Sequence, residues 1–432
     1  MKKLLLMVPM LHQGGFERVC VKTARVLEGK WDVTILIFSD KDINYDVSGL
    51  RVINIDVPAA GNAAGRVMNL PKRIAKVRAI KKKEKFDIAY SFGSSANLVN
   101  VFSREGEKVV TGLRCQTDLE SPNQVRLFCR RSDEVLSCSR EIVRQLEKDF
   151  SYKRSEYIYN PLDVDDIRAK SEEMEKEKDA SAAEKAEFTS ISDESGTSAH
   201  AVGEAGSNIA NKATNSHGHL IFGMGRDDRI KGFWHLIKAF SLVKKEIPDA
   251  RLCIMGAGSF DGAKKLASDL GIADAVALPG VRKNPFPYLA QCDLFVLPSN
   301  HEGFPNALLE AMALSKPVIA ADCKTGPREI VLSDDEYEKL IAEKPDGSSV
   351  SDITEGEYGV LVPDMCEEPD YEAANITDED RMLAAAIIAM LSDDRKLAHY
   401  AEKAGERAAA YSPACYADSL SDILDGILKS EE

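Results

Sequence analysis

The 432-residue sequence predicts an α/β chain of two doubly wound, Rossmann-like parallel-sheet domains facing a cleft. Three observations carry this reading. Through residues 1–165, short apolar runs of strand length alternate with amphipathic stretches of helix length. The same alternation resumes at residue 218. Each half also opens on a strand, a glycine turn and a helix, an order that places ligand sites at the C-terminal strand edges.

The elements follow in order. "KLLLMVPM" and "WDVTILIF" read as strands on either side of "GGFERVCVKTARVLE", where Val19, Ala24 and Leu27 share a helical face. "RVINIDV", "FDIAYSF", "EKVVTGL" and "DEVLSCS" continue the sheet. Asn160-Pro161 is a turn signal, and the first domain, 1–165, closes there. The Asp163-Val164-Asp165 triplet at this turn reads as structural. Residues 166–217 form an insertion or linker. From 169 onward Ala, Ser, Glu and Lys dominate and Phe188 is the only aromatic residue, so a disordered or weakly helical segment is expected. The second domain spans 218–413, with strands in "HLIFGMGR", "ARLCIMGAG", "AVALPGV", "CDLFVLPS", "KPVIAA" and "YGVLVP". Its first helix puts Phe233, Leu236, Ile237, Phe240 and Val243 on one face. Residues 414–432 form a last helix expected to pack back on the first domain.

Composition bounds the function. Hydrophobic content of 44% and charged content of 29% are those of a soluble globular chain. No apolar run approaches the ~18 residues of a membrane span. "MKKLLLMVPMLHQGG" lacks a small-residue cleavage pattern and reads as a first strand. Nine cysteines without a C-x-x-C pair fit reduced thiols in the cytoplasm. A net charge of −14 argues against a nucleic-acid binder. That charge is divided unevenly. Residues 1–165 carry 28 Lys+Arg against 21 Asp+Glu, whereas 166–432 carry 28 against 49. The basic half contains "PKRIAKVRAIKKKEK", residues 71–85, with eight cations and one acid. Ile74, Val77 and Ile80 give it an apolar stripe. Such a helix fits peripheral contact with an anionic membrane, on its inner face for a cytoplasmic protein. It equally fits a solvated helix packed on the sheet by those three residues, and the two can hold together.

The stretch "SNHEGFPNALLEAMALSKPVIAA" holds the chemistry. With "CDLFVLPS" as a strand, Ser299–Phe304 is the loop at its C-terminal end and Pro305 enters the first helical turn. The free N–H groups of Asn306 and Ala307 then point out of the helix start and, with the dipole, suit a phosphate. Glu302 precedes that start and Glu310 lies in the second turn, so each carboxylate can take sugar hydroxyls on its own side of the phosphate. A phosphate held between two polyhydroxylated groups is a nucleotide sugar. The plain alternative is a helix cap at Glu302 and an exposed acid at Glu310. In "GMGRDDRIKGF", Arg226 and Lys231 bring cations to the same edge, where a departing diphosphate gains charge. Gly14 and Gly15 permit close backbone approach after the first strand, and a plain tight turn is the equal alternative. His12 and His301 flank the two loops and read as structural or solvated. No histidine–carboxylate cluster points to a catalytic metal, and no cofactor is expected.

"GGFERV", "GRDDRIKGFWHLIKAF", "IMGAGS" and "EGFPNALLEAMALSKPVIAADCKTGPREIV" together resemble glycosyltransferase family 4, retaining enzymes of GT-B fold. The resemblance covers nearly the whole chain outside 169–217. It implies a nucleotide-sugar donor, expected to be a UDP-sugar, on the C-terminal domain and an acceptor on the N-terminal domain. It carries Arg226 and Lys231 onto the diphosphate, Glu302 onto the transferred sugar and Glu310 onto the ribose. Gly280 and Val281 fall where such enzymes hold the base, and Phe304 joins the substrate-binding set. Many members carry a histidine after the fourth N-terminal strand. "YSFGSSANLV" has none, which leaves Ser91, Ser94, Ser95, Asn97 and Arg114 as acceptor candidates. The resulting expectation is transfer of a hexose or N-acetylhexosamine to a surface-polysaccharide or lipid-linked glycan, without metal. A sugar-nucleotide epimerase, a phosphorylase and a non-catalytic nucleotide-sugar-binding subunit are the alternatives on a similar fold.

Overall fold

The computed structural model describes residues 1–12, 14–59, 61, 63–173 and 218–430. Seven strands form the first sheet: β1 (Lys3–Val8), β2 (Asp32–Ile37), β3 (Arg51–Asn54), β4 (Ile88–Phe92), β5 (Lys108–Leu113), β6 (Glu134–Ser137) and β7 (Ser155–Tyr157). All its pairings are parallel and the order is β3-β2-β1-β4-β5-β6-β7. The second sheet uses β8 (Leu220–Met224), β9 (Arg251–Met255), β10 (Val276–Ala277), β11 (Leu294–Leu297), β12 (Val318–Ala321), β13 (Thr354–Gly356) and β14 (Gly359–Val362). Its order is β10-β9-β8-β11-β12-β14-β13, parallel except for the β13–β14 edge hairpin. Apart from half-buried Lys3 the central strands are buried along their length, which is why they read as largely apolar runs. In both sheets the order reverses beside the first strand, so the loops after β1, β4, β8 and β11 meet at one cleft.

Four expectations are corrected or extended. The chain passes to the second domain earlier than residue 165. Ile158 still packs in the first core, whereas Leu162 and Ile167 pack in the second. Residues 166–172 belong to a helix, Val164–Glu172, capped by Asp163, which accepts from the Asp166 N–H at 3.0 Å. They are therefore part of the second domain rather than an insertion. The rest of the expected low-complexity segment, 174–217, lies outside the described residues. The helix Phe233–Glu246 buries far more than one stripe. Trp234, His235 and Lys238 are also buried, because the helix Asp378–Leu391 covers its other side. His235 Nδ1 lies 2.5 Å from Asp380 and Lys238 donates to the Asn375 carbonyl at 2.8 Å.

The basic segment is the fourth change. It forms the second half of a helix, Ala63–Glu84, whose apolar stripe faces inward: Val77 is in the core and Ile80 packs against it. Lys81 is only 2% exposed and pairs with Glu107 at 2.6 Å, with Asn100 accepting a further bond. Its register on the stripe side carries it inward, and Glu107 offsets the cost of burying its charge. Lys72, Lys82, Lys83 and Lys85 remain exposed. Among the described residues no helix is long and apolar enough to cross a membrane.

The last helix, Pro413–Lys429, leaves the second domain and packs on the helix Gly15–Val26. It places Tyr416, Leu420 and Leu424 in the first core, and Thr23 and Tyr416 share a buried hydroxyl contact of 2.8 Å.

Candidate active site

The floor of the cleft is the loop after β11. Glycine at 303 is forced: a Cβ there would overlap the Arg114 carbonyl of the first domain. The two domains thus touch backbone to backbone beside Glu302, whose carbonyl accepts from the Gln116 N–H at 3.3 Å and from the Thr325 hydroxyl. Pro305 is the N-cap of the helix Asn306–Ala313, one position outside the turn expected for it. The N–H groups of Asn306 and Ala307 remain at the helix start as expected.

The two glutamates lie on opposite sides of that start, and both are buried and paired. Glu302 meets Lys231 Nζ at 2.6 Å. Glu310 pairs with Arg18, which comes from the first turn of the helix Gly15–Val26 in the other domain. Arg226, on the same loop as Lys231, is largely exposed and lies 3.7 Å from Asp228. The Gly14–Gly15 turn opens toward the same place, with Asn306 Nδ2 3.7 Å from where a Cβ on Gly15 would sit. Two helix starts, one from each domain, therefore face a common volume ringed by Arg18, Arg226 and Lys231. Arg18 and Lys231 are each paired with a glutamate, and Arg226 lies near Asp228. The facing N-termini, and the cations that an anion can draw from these partners, are what suit the site to one.

Other candidates fall elsewhere. Gly280 sits just past β10, its carbonyl accepting from the Gly256 N–H at 3.0 Å, and Val281 is 49% exposed. The Phe304 ring is not free for a substrate. It stacks on Tyr159 with centroids 4.4 Å apart and meets Tyr411 edge-on, so its offering to the cleft is backbone. Ser91 and Asn97 bond each other and the sheet within the core, which removes them as acceptor contacts. Ser94 and Ser95 stay accessible at the start of the helix Ser94–Phe102. Arg114 is buried and held by Asn160, with one guanidinium nitrogen unpartnered. His301 lies 3.2 Å from a Glu367 oxygen, and His12 is exposed. Among the described residues, no group of His, Cys, Asp and Glu is arranged to hold a metal.

Several site residues were not expected. Arg18 and Glu17 stand in "GGFERV", next to the two glycines. Asn160, read only as a turn residue, donates to the Phe304 carbonyl at 3.1 Å and to Asn306 Oδ1 at 3.0 Å. Glu329 reaches across the domain boundary to cap the helix Arg140–Phe150, accepting from Ser139 Oγ and from the Arg140 N–H. Burial pushes its carboxyl up against these bonds. Arg328 forks onto Asp322 at 2.7 and 2.8 Å and so fixes the turn from which Glu329 extends.

Two parallel sheets of this order, facing a cleft and joined by a returning C-terminal helix, make the GT-B glycosyltransferase fold. Residues 13–166 match the family described as Glycosyltransferase Family 4, and residues 207–353 match Glycosyl transferases group 1. The chain belongs to these glycosyltransferases and is of the family 4 type. Over 179 residues it is 36% identical to an uncharacterized glycosyltransferase of Methanocaldococcus jannaschii, a match spanning 40% of this chain and 42% of that protein. It is 26% identical, over 79% of its length and 86% of the relative's, to N-acetylgalactosamine-N,N'-diacetylbacillosaminyl-diphospho-undecaprenol 4-alpha-N-acetylgalactosaminyltransferase of Campylobacter jejuni. The crystal structure of Anabaena HepE in complex with UDP and glucose superposes with a TM-score of 0.67 at 16% identity, covering 98% of this chain and all of that one.

Proposed function

We propose that this chain is a retaining glycosyltransferase that moves a hexose or N-acetylhexosamine from a UDP-sugar to a surface-polysaccharide or lipid-linked glycan. The observation that carries the reading is the pair of buried carboxylates on either side of the helix start at Asn306, each already paired with a cation. The diphosphate competes with Glu302 for Lys231 and adds Arg226. Glu302 then takes hydroxyls of the transferred sugar, and Glu310 takes the ribose. The cations supply the charge that the departing diphosphate needs, so the scheme calls for no metal. They favour the transition state over the ground state because charge grows there as the glycosidic bond breaks. The acceptor attacks from the face the diphosphate leaves. The acceptor class is supported by the Campylobacter relative, named for a diphospho-undecaprenol-linked sugar. Peripheral contact with the inner face of a membrane, through exposed cations of the helix Ala63–Glu84, belongs to the same reading.

Replacing Lys231 with Ala tests it. We expect kcat/KM to fall tenfold or more, about 1.4 kcal/mol or above. Wild-type turnover in that variant refutes the assignment of Lys231 to the diphosphate.

A further inference from the structure

Glu17 has a part in this cleft that helix capping does not explain. It is the third residue of the helix Gly15–Val26, and its carboxyl folds back over the helix start. A Cβ at Gly14 would overlap Oε2, so glycine at 14 is what leaves room for the carboxyl. A glutamate at this position ordinarily accepts from the N-cap N–H. Here that N–H, on Gly14, is taken by the Tyr45 hydroxyl at 3.0 Å, and Tyr45 in turn donates to the Gly14 carbonyl at 2.6 Å. Glu17 is 8% exposed, and its Oε2 is buried without a hydrogen-bond partner. The titratable and charged groups near enough to act on it electrostatically are Arg226 from the second domain, the Tyr45 phenol from the loop after β2 and the Cys20 thiol one turn along its own helix. Arg226 is the one cation among these.

We propose that Glu17, as a neutral carboxylic acid, donates a hydrogen bond from Oε2 to the diphosphate of the bound nucleotide sugar, opposite Arg226. The inference rests on the reading of the cleft as a donor site. Burial pushes the carboxyl up to about 7, with its own backbone N–H and Arg226 pulling the other way. The neutral form is thus well populated near neutrality. A diphosphate brings like charge and pushes the group further up, so binding takes up a proton wherever the free carboxyl is ionised. Nucleotide affinity therefore falls as pH rises past about 7. A donor aimed at the leaving phosphate also strengthens as charge develops there.

Calorimetric titration of UDP, GDP and ADP, each in Hepes and in Tris, reads the proton directly. At about pH 8 a terminal phosphate, with its last ionisation near ~6, is already charged, so any uptake belongs to the protein. The wild type should take up most of a proton per nucleotide. Glu17→Gln, which keeps a neutral donor, should take up none and bind at least as tightly. Circular dichroism and Tm establish that the variant is folded. Equal uptake in both proteins, or a tenfold loss of affinity in folded Glu17→Gln, overturns the proposal. If none of the three nucleotides binds the wild type, the donor-site reading fails and this inference falls with it.

Discussion

Lys231 and Glu302 neutralise each other at 2.6 Å, and Arg18 and Glu310 do the same across the cleft. In the proposed function each pair is a held position that a ligand exchanges into, phosphate replacing the carboxylate and hydroxyls replacing the cation. The placement of both glutamates around a helix start was legible from sequence, whereas their burial and their cation partners were not. Arg18 and Glu17 were less legible. Nothing in "GGFERV" says that a first-turn side chain will reach the opposite domain, and that depends on how the two domains close. A carboxylate away from the cleft gives an independent check on the electrostatics. Glu134, at the start of β6, is pushed up to about 7 by burial and then by neighbouring Glu156. A raised folded-state value means stability that is present below about 4.5, the unfolded value, and lost as pH rises through 7. Glu134→Gln should therefore stabilise the protein near pH 8 and leave it unchanged near pH 4.5. The gain is on the order of 1–2 kcal/mol, discounted because the group is only half-buried. Urea denaturation at both pH values measures it, and an equal effect at both would show that packing, not ionisation, is responsible.

At the scale of elements, period identified the helices beginning near Gly15 and Phe233 and the one in the basic segment, but not always what their stripes face. Helices such as Ser94–Phe102 and Asp334–Glu343 went unread. Ile74, Val77 and Ile80 recur as a membrane helix requires and also as a sheet-packing helix requires. The burial of Val77 and the Lys81–Glu107 pair decide for the sheet. What is left for a membrane is mainly exposed charge, with Met68 the one large exposed apolar side chain among the described residues of this helix. Attraction of exposed charges is screened over ~8 Å at physiological ionic strength, so contact should be weak and salt-sensitive. Vesicles containing anionic lipid should retain the protein at low salt and release it as salt rises. Changing exposed Lys72, Lys82 and Lys83 together to Glu should abolish retention and leave nucleotide binding intact. Sedimentation of that triple variant equal to the parent would remove this face as the contact. Lys81 has no place in the substitution, because breaking a buried pair costs roughly 3–5 kcal/mol. The helix Phe233–Glu246 makes the same point, since its polar-looking His235 and Lys238 are internal only once the helix Asp378–Leu391 has covered them.

For the molecule as a whole, the two-sheet architecture was legible because alternating strands and helices leave few other layouts. The junction was not. Apolar residues at 162 and 167 look alike whichever domain they serve, and the groups that join the domains, Asn160 and Glu329, are polar residues with partners more than a hundred positions away. These contacts hold the helix starts of both domains against one cleft, which in the proposed function receives a nucleoside diphosphate between Glu302 and Glu310. Calorimetric titration of the nucleoside diphosphate selected by the wild type, repeated on Glu310→Ala and Glu302→Ala, tests this most directly. Glu310→Ala should lose affinity by about tenfold or more, equivalent to ~1.4 kcal/mol, because it removes the ribose contact. Glu302→Ala, which frees Lys231 for the diphosphate, should bind the nucleotide at least as tightly as the wild type and fail in transfer. Loss of nucleotide binding in Glu302→Ala together with unchanged binding in Glu310→Ala would contradict the account.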